Sequence, residues 1–327
     1  VIELDPELVA LVDAARRLDK HAVARCISLF EDRRPGAPAR RAAVLEQLDR
    51  DAERAPGTVL GLTGTPGSGK STLLSRLTVD LLDADDALSI AVLAVDPSSQ
   101  VSGGSLLGDR TRMRFTPDER RLFFRSQAAE SDLGGLGPSS FQVCRLLTRL
   151  FDCVMIETVG IGQSEADIRH LADRVYLVLQ PLGGDEVQFL KAGIIEVPHA
   201  FILNKCDEPA SVASYHQLRG SMWLARPFDD EVPPIFRTSA LTGEGLDELE
   251  ADMLGRVHSG AGAGLVAREP YFFARWVDDE WGRVGGRFLA DQLGGAPAYV
   301  TACGGYEAAQ AAFGPALTER LARPDST

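Results

Sequence analysis

Val59-Leu60-Gly61-Leu62-Thr63-Gly64-Thr65-Pro66-Gly67-Ser68-Gly69-Lys70-Ser71-Thr72-Leu73-Leu74 is the stretch whose reading decides the fold. Residues 59–63 read as a buried strand, and Ser71 to Leu77 opens an amphipathic helix. Between them, Gly64 to Ser71 forms an uninterrupted phosphate-binding loop. A strand, a glycine-rich turn and a helix N-terminus together aim several backbone N–H groups at one point. Lys70 adds a full positive charge there, and the Ser71 hydroxyl can take one place around Mg²⁺. The glycines tolerate positive φ and let a phosphate approach the backbone closely. The nucleotide-contacting positions of this stretch are Gly64, Pro66, Gly67, Ser68, Gly69, Lys70, Ser71 and Thr72.

Outward from the loop, residues 57–257 alternate apolar runs with helical patterns. Candidate strands are 58–63, 89–95, 121–125, 153–158, 174–180, 199–203 and 234–238, and candidate helices lie near 70–83, 139–151, 164–172, 209–225 and 244–256. Runs such as Ile90 to Val95 and Cys153 to Ile156 are continuously apolar. Strands covered on both faces look like that, so a mainly parallel α/β sheet flanked by helices is expected. Residues 1–56 are helical by pattern, with Asp5-Pro6 as an N-cap and first-turn proline, and read as a small helical bundle. After Arg256 a loose stretch, Ser259 to Gly264, reads as a linker. Residues 265–327 then form a C-terminal helical arm, in which Tyr271, Phe272, Trp276, Trp281, Phe288 and Leu289 suggest a wide aromatic face suited to a core or a subunit interface. One more helix is expected at about 306–322.

The bulk numbers exclude some classes. The chain has 327 residues, 45% hydrophobic and 25% charged, an ordinary globular composition. Its net charge of −13 argues against nucleic acid as the main partner and against anionic membrane surfaces. No apolar run approaches the ~20 residues of a membrane span, and a cytoplasmic location is the default expectation. Cys26, Cys144, Cys153, Cys206 and Cys303 are scattered, with no C-x-x-C, and read as buried small hydrophobes.

Asn204-Lys205-Cys206-Asp207 follows the strand Phe201-Ile202-Leu203. At a strand end in a P-loop protein this string reads a guanine. An aspartate accepts two hydrogen bonds from the guanine N1–H and exocyclic amine. Adenine offers neither donor there, and a buried carboxylate left unpaired supports discrimination on the order of 10⁴-fold. The Lys205 stem is expected over the base plane, with Asn204 tying neighbouring loops together. Thr238-Ser239-Ala240, then Leu241, is the companion loop whose backbone can meet the base carbonyl, and Thr242 to Gly245 is expected to cap the next helix. Glu157-Thr158-Val159-Gly160 puts a carboxylate at a strand end for Mg²⁺ or the attacking water, and Gly160 can place its N–H near the γ-phosphate. Gln163 in Gly162-Gln163-Ser164-Glu165 either orients water or is a plain helix-start residue. Asp96-Pro97-Ser98-Ser99 ends another strand and leads into a glycine- and serine-rich loop from Ser102 to Met113 that carries Asp109, Arg110 and Arg112. A loop that closes on a nucleotide needs flexible backbone, a metal-seeking carboxylate and positive charge, but an ordinary surface loop has the same composition.

Together these strings resemble the MeaB/ArgK/MMAA family of G proteins. Members show G-x-P-G-x-G-K-S-T, then A-V-D-P-S-S, then S-G-G-S-x-L-G-D-[KR]-T-R-M, then E-T-V-G-[VI]-G-Q-S-E, then N-K-x-D, and this chain has each in order across roughly residues 5–256. The resemblance implies a P-loop NTPase fold of the SIMIBI type, usually a homodimer, that binds GTP/GDP and Mg²⁺. It implies a GTP-hydrolysing chaperone that gates adenosylcobalamin loading and reactivation of an acyl-CoA mutase acting on methylmalonyl-CoA, isobutyryl-CoA or 2-hydroxyisobutyryl-CoA. It implies Ser71, Asp96, Asp109 and Glu157 as metal- and water-side groups, and a mutase-signalling loop through Asp185, Glu186, Gln188 and Lys191. Arg110 and Arg112 are candidates for the arginine that accelerates hydrolysis. Cys206 stands where the family commonly has Ala, and the region after Arg256 does not match the family's usual dimerisation arm clearly.

Two other classes remain. A nickel metallochaperone GTPase needs a Cys/His cluster near the N-terminus or the switch loops, and the sequence has none there. A small-molecule P-loop kinase predicts phosphate transfer to an acceptor and no preference for guanine.

Overall fold

A computed structural model of the chain describes residues 5–50, 55–96, 119–128, 136–158, 164–181, 198–225, 232–260 and 264–322. Three N-terminal helices come first: α1 (Pro6–Arg16), α2 (Lys20–Phe30) and α3 (Ala37–Arg50). Asp5 caps α1 as expected, its carboxylate accepting from Leu8 N at 2.8 Å with Pro6 in the first turn. The alternating region follows as β1 (Thr58–Gly64), α4 (Lys70–Ala84), β2 (Ile90–Asp96), β3 (Leu122–Ala128), α5 (Pro138–Leu150), β4 (Cys153–Thr158), α6 (Ser164–Leu171), β5 (Arg174–Leu179), β6 (Ala200–Leu203), α7 (Ser211–Ala225), β7 (Ile235–Arg237) and α8 (Leu246–His258). The last three helices are α9 (Leu265–Gln292), α10 (Gly295–Cys303) and α11 (Tyr306–Ala322). None of the described helices is long and apolar enough to cross a membrane.

The chain divides into two compact units. The α/β unit comprises residues 56–136 and 151–262. Its seven strands pair in the order β3-β2-β4-β1-β5-β6-β7, every pair parallel. Register follows the alternation of side chains. Leu60, Leu62, Met155, Tyr176 and Val178 face one way and meet Leu73, Leu74, Leu77, Leu249 and Met253 of α4 and α8. Leu177, Leu179, Phe201 and Leu203 face the other way and meet Leu218 and Met222 of α7. Burial on both sides explains why the strands read as unbroken apolar runs. Close approach of α6 to β1 needs Gly61, because a Cβ there meets Ile168 Cδ1 at 2.7 Å.

The helical unit comprises residues 1–55, 137–150 and 263–327. Helix α5 thus lies in sequence between two strands of the sheet but groups with the terminal helices. The aromatic face of α9 is core: Phe272 stacks on Phe141 of α5, and Phe273 meets Tyr306 and Phe313 of α11 edge-on. Within the same core Arg145 of α5 pairs with Glu269 at 2.9 Å and with Glu307, and lies over the Phe141 and Tyr306 rings. Arg41 of α3 reaches Gln310, which also accepts from Gln142. Burial pushes the Glu269 carboxyl up from its ordinary value, with Arg145 pulling the other way.

Several local expectations differ from the structure. The cap expected from Thr242 to Gly245 falls on its last residue: Gly245 is the N-cap of α8, in the left-handed region at φ 69°, with no side-chain cap. A Cβ on Gly245 meets Arg237 O at 2.0 Å, so the tight turn selects glycine over a capping side chain, and Asp247 and Glu248 complement the helix dipole instead. Helix α10 is an additional element, and Gly282 breaks α9 with non-helical φ/ψ. Cys26, Cys144, Cys153 and Cys206 are buried, whereas Cys303 is only half-buried. Desolvation pushes the Cys26 thiol up to about 11.

Candidate nucleotide-binding site

Every motif picked out within the described residues of the α/β unit sits at the carboxyl end of a strand. The phosphate-binding loop follows β1, Asp96 ends β2, Glu157 lies near the end of β4, Asn204 follows β6 and Thr238 follows β7. Open parallel sheets place ligands in the crevice outside these ends. The sheet order makes β1 central, between β4 and β5, which brings loops distant in sequence around the phosphate loop.

The phosphate loop is built by backbone geometry. Gly67 and Gly69 have φ of 80° and 83°, and Gly69 is the left-handed N-cap of α4 without a side-chain cap. No side chain therefore caps the first turn of α4, and a helix N-terminus of this kind suits an anion. Ser68 turns inward, its hydroxyl donating to Thr65 O at 2.8 Å. Lys70 is 8% exposed, and its ammonium donates to Gly64 O at 2.8 Å and Thr65 O at 3.0 Å. Those carbonyls stand where a positive charge needs compensation. Ser71 Oγ donates to Glu157 Oε1 at 2.7 Å, so hydroxyl and carboxylate meet across the sheet from 86 residues apart.

Asn204 joins three loops. Its amide nitrogen donates to Ser68 O at 2.8 Å, and its amide oxygen accepts from Ala240 N at 3.1 Å. A Cβ on Gly69 meets that amide nitrogen at 2.7 Å, so Gly69 serves both the loop conformation and the approach of Asn204. The base loop is further pinned by Cys206 N donating to Thr238 O at 2.9 Å. Lys205 sits at φ 60°, a left-handed conformation rare for a residue with a side chain. Asp207 and Leu241 are exposed. The N–H of Ser239 donates to Glu244 O, and that of Ala240 to Asn204, so in this structure both serve the loop itself.

Four buried threonine hydroxyls on the same edge, those of Thr63, Thr65, Thr158 and Thr238, have no hydrogen-bond partner among the described residues. Buried polar groups are normally paired, so such a cluster marks a place where the chain leaves bonding to something else. One contact has no motif behind it: Gln180, directly after β5, accepts from Lys205 Nζ at 2.8 Å. A polar residue directly after the buried run Val175 to Leu179 was the available signal. Asp109, Arg110, Arg112, Gly160, Gln163, Asp185, Glu186, Gln188 and Lys191 lie outside the described residues, as does the side chain of Asp96.

Comparison with known proteins agrees with this arrangement. A family model described as "Methylmalonyl Co-A mutase-associated GTPase MeaB" matches residues 23–270. A "Putative GTPase" of Caulobacter vibrioides is 38% identical over 285 residues, covering 86% of this chain and 85% of that protein. GTPase ArgK of Escherichia coli is 35% identical over 248 residues, covering 73% of each. The crystal structure of a LAO/AO transport system kinase has a TM-score of 0.63 across 99% of this chain and 100% of that one, at 22% identity, a likeness of fold. A phosphate loop and an N-K-x-D loop joined through Asn204, within a match spanning most of the chain, lead to one conclusion: the chain is a GTPase and belongs to the MeaB family of methylmalonyl-CoA mutase-associated GTPases.

Proposed function

We propose that this GTPase gates the loading of adenosylcobalamin onto an acyl-CoA mutase, and the reactivation of that mutase, by cycling between GTP and GDP as a homodimer. The observation that carries the reading is the Asn204 bridge, which holds a base-reading loop against a phosphate loop. The family description supplies the mutase. Methylmalonyl-CoA, isobutyryl-CoA and 2-hydroxyisobutyryl-CoA mutases are the candidate partners.

In this account Lys70 exchanges the Gly64 and Thr65 carbonyls for β- and γ-phosphate oxygens as nucleotide enters. The N–H groups of the loop and of the first turn of α4 hold the remaining phosphate charge. Asp207 accepts from the guanine N1–H and amine, the Lys205 stem covers the base, and the loop from Ser239 to Leu241 meets its carbonyl. Magnesium fits the donors present, because Ser71 and Glu157 offer hard oxygen ligands in mutual contact at the head of α4. Ser71, Asp96, Asp109 and Glu157 would hold the ion, which when bound neutralises charge on the phosphate oxygens. Gln163 orients the attacking water, the Gly160 N–H reaches the γ-phosphate, and Arg112 stabilises the charge of the transition state. The loop through Asp185, Glu186, Gln188 and Lys191 reports the nucleotide state to the mutase.

The test is GTP turnover with and without each candidate mutase, together with capture of the mutase on the immobilised protein. Faster hydrolysis with one mutase, and its retention with a non-hydrolysable GTP analogue, is the expected result. Unchanged turnover and no retention with all three mutases would contradict the chaperone role.

A further inference from the structure

We propose that Gln180 is a positioning residue for guanine nucleotide: it anchors the Lys205 ammonium so that the lysine stem lies flat over the base. The inference rests on the reading that Lys205 covers guanine. Its geometric basis is independent of any motif. Gln180 Oε1 accepts from Lys205 Nζ at 2.8 Å. The same amide borders the apex of the phosphate loop, since a Cβ built on Gly67 lies 3.8 Å from Oε1 and 4.0 Å from Nε2. One side chain therefore bonds the base loop and lies beside the phosphate loop.

Local structure fixes both ends of this contact. Gln180 follows Leu179, whose carbonyl accepts from Asn204 N at 2.8 Å, so β5 and the base loop are in register where the two side chains meet. Pro181 comes next and restricts the Gln180 backbone to an extended conformation. On the other side, Lys205 is held in the left-handed region, while its carbonyl accepts from Glu208 N at 3.0 Å. Neither side chain is fully exposed. A surface lysine gains little from a solvent-exposed partner, but here the partner is anchored and restricts a long, entropy-rich stem to one direction. An amide suits the place chemically. It accepts from the ammonium without bringing a second negative charge towards the phosphates, whereas a carboxylate there would repel them.

The experiment is calorimetric titration of GDP, ADP and inosine diphosphate into wild type, and of GDP and inosine diphosphate into Gln180→Met, Gln180→Ala, Lys205→Met and the Gln180→Met/Lys205→Met double variant. Methionine keeps the length of glutamine and removes the acceptor. Alanine removes both, so equal losses in the two variants identify the acceptor as the part that matters. Loss of a hydrogen bond to a charged group predicts GDP binding weaker by roughly tenfold in each Gln180 variant. The loss is the same for inosine diphosphate, because stem packing does not involve the 2-amino group. In the Lys205→Met background the Gln180 substitution has no further effect. Unchanged GDP affinity in the Gln180 variants, or an equal loss in both backgrounds, overturns the inference alone. Wild type that takes up GDP and ADP equally overturns the guanine site itself and the inference with it.

Discussion

At the carboxyl edge of the sheet, Thr63, Thr65, Thr158 and Thr238 are buried with hydroxyls unpartnered among the described residues, and the Lys70 ammonium donates to the loop carbonyls of Gly64 and Thr65. In the helical unit the buried polar groups satisfy one another. Arg145 pairs with Glu269 and Glu307 and donates to Gln142, and Gln310 accepts from Arg41 and Gln142. Of that cluster only Arg41 Nε lacks a partner among the described residues. The difference separates two uses of buried polarity. A network closed on itself fixes how chain segments assemble. An open one, at strand ends with glycine-built backbone, leaves its hydroxyls without partners among the described residues.

The largest expected effect breaks the closed network. Arg145→Met leaves two carboxylates buried without their cation and should destabilise the helical unit by about 3–5 kcal/mol. Thermal unfolding followed by tryptophan fluorescence reads this, since Trp276 and Trp281 lie in that unit, and a fall of about 10 °C is expected. An unchanged midpoint would mean that the aromatic core alone holds the unit.

Breaking the open network should spare the fold and remove function. Lys70→Ala should lower GTP turnover by roughly 10²–10³-fold in single-turnover assays while the protein still melts cooperatively. A variant that keeps wild-type turnover would remove Lys70 from the phosphate site. Asn204→Ala should weaken GDP binding by about tenfold to a hundredfold, because it frees the Ser68 carbonyl and the Ala240 N–H together. Equilibrium binding of a fluorescent GDP analogue measures it, and wild-type affinity would show that the bridge is dispensable.

The smallest effect is a pH dependence within the closed network. Burial raises the Glu269 carboxyl above its ordinary value. The folded protein then holds that proton more tightly than the unfolded chain does. The resulting stability is complete below the ordinary glutamate value of about 4.3 and is lost as pH rises through the raised folded value. The lead in melting temperature of wild type over Glu269→Gln should therefore shrink as pH rises above the ordinary glutamate value. A constant lead would show that Arg145 balances desolvation, and a lead that grows with pH would show that it outweighs it.

The same contrast explains what the sequence discloses. The phosphate loop and N-K-x-D are legible because their chemistry is local, with a few residues at fixed spacing after an apolar strand. The continuous runs at Ile90 and Cys153 disclose a sheet covered on both faces for the same reason. The Arg145 cluster has no local signature. Its partners lie up to 162 residues away in sequence, and each carboxylate alone looks like a solvated helix position. Gln180 escapes notice because its partner Lys205 is 25 residues distant and the contact depends on strand register. The cap of α8 is legible as the stretch Thr242 to Gly245, but not as Gly245 itself, because turn geometry, not side-chain chemistry, decides that position.

The central claim is that the open polar edge is completed by guanine nucleotide, with the Asp207 carboxylate reading the base. Guanine presents two donors to a carboxylate, whereas xanthine replaces the amine with a carbonyl that an amide side chain can meet. The direct measurement is calorimetry of GDP and xanthosine diphosphate with wild type and Asp207→Asn. Wild type should prefer GDP by roughly 10³–10⁴-fold, and the variant should reverse that order. GDP binding equally well to both proteins would contradict the claim.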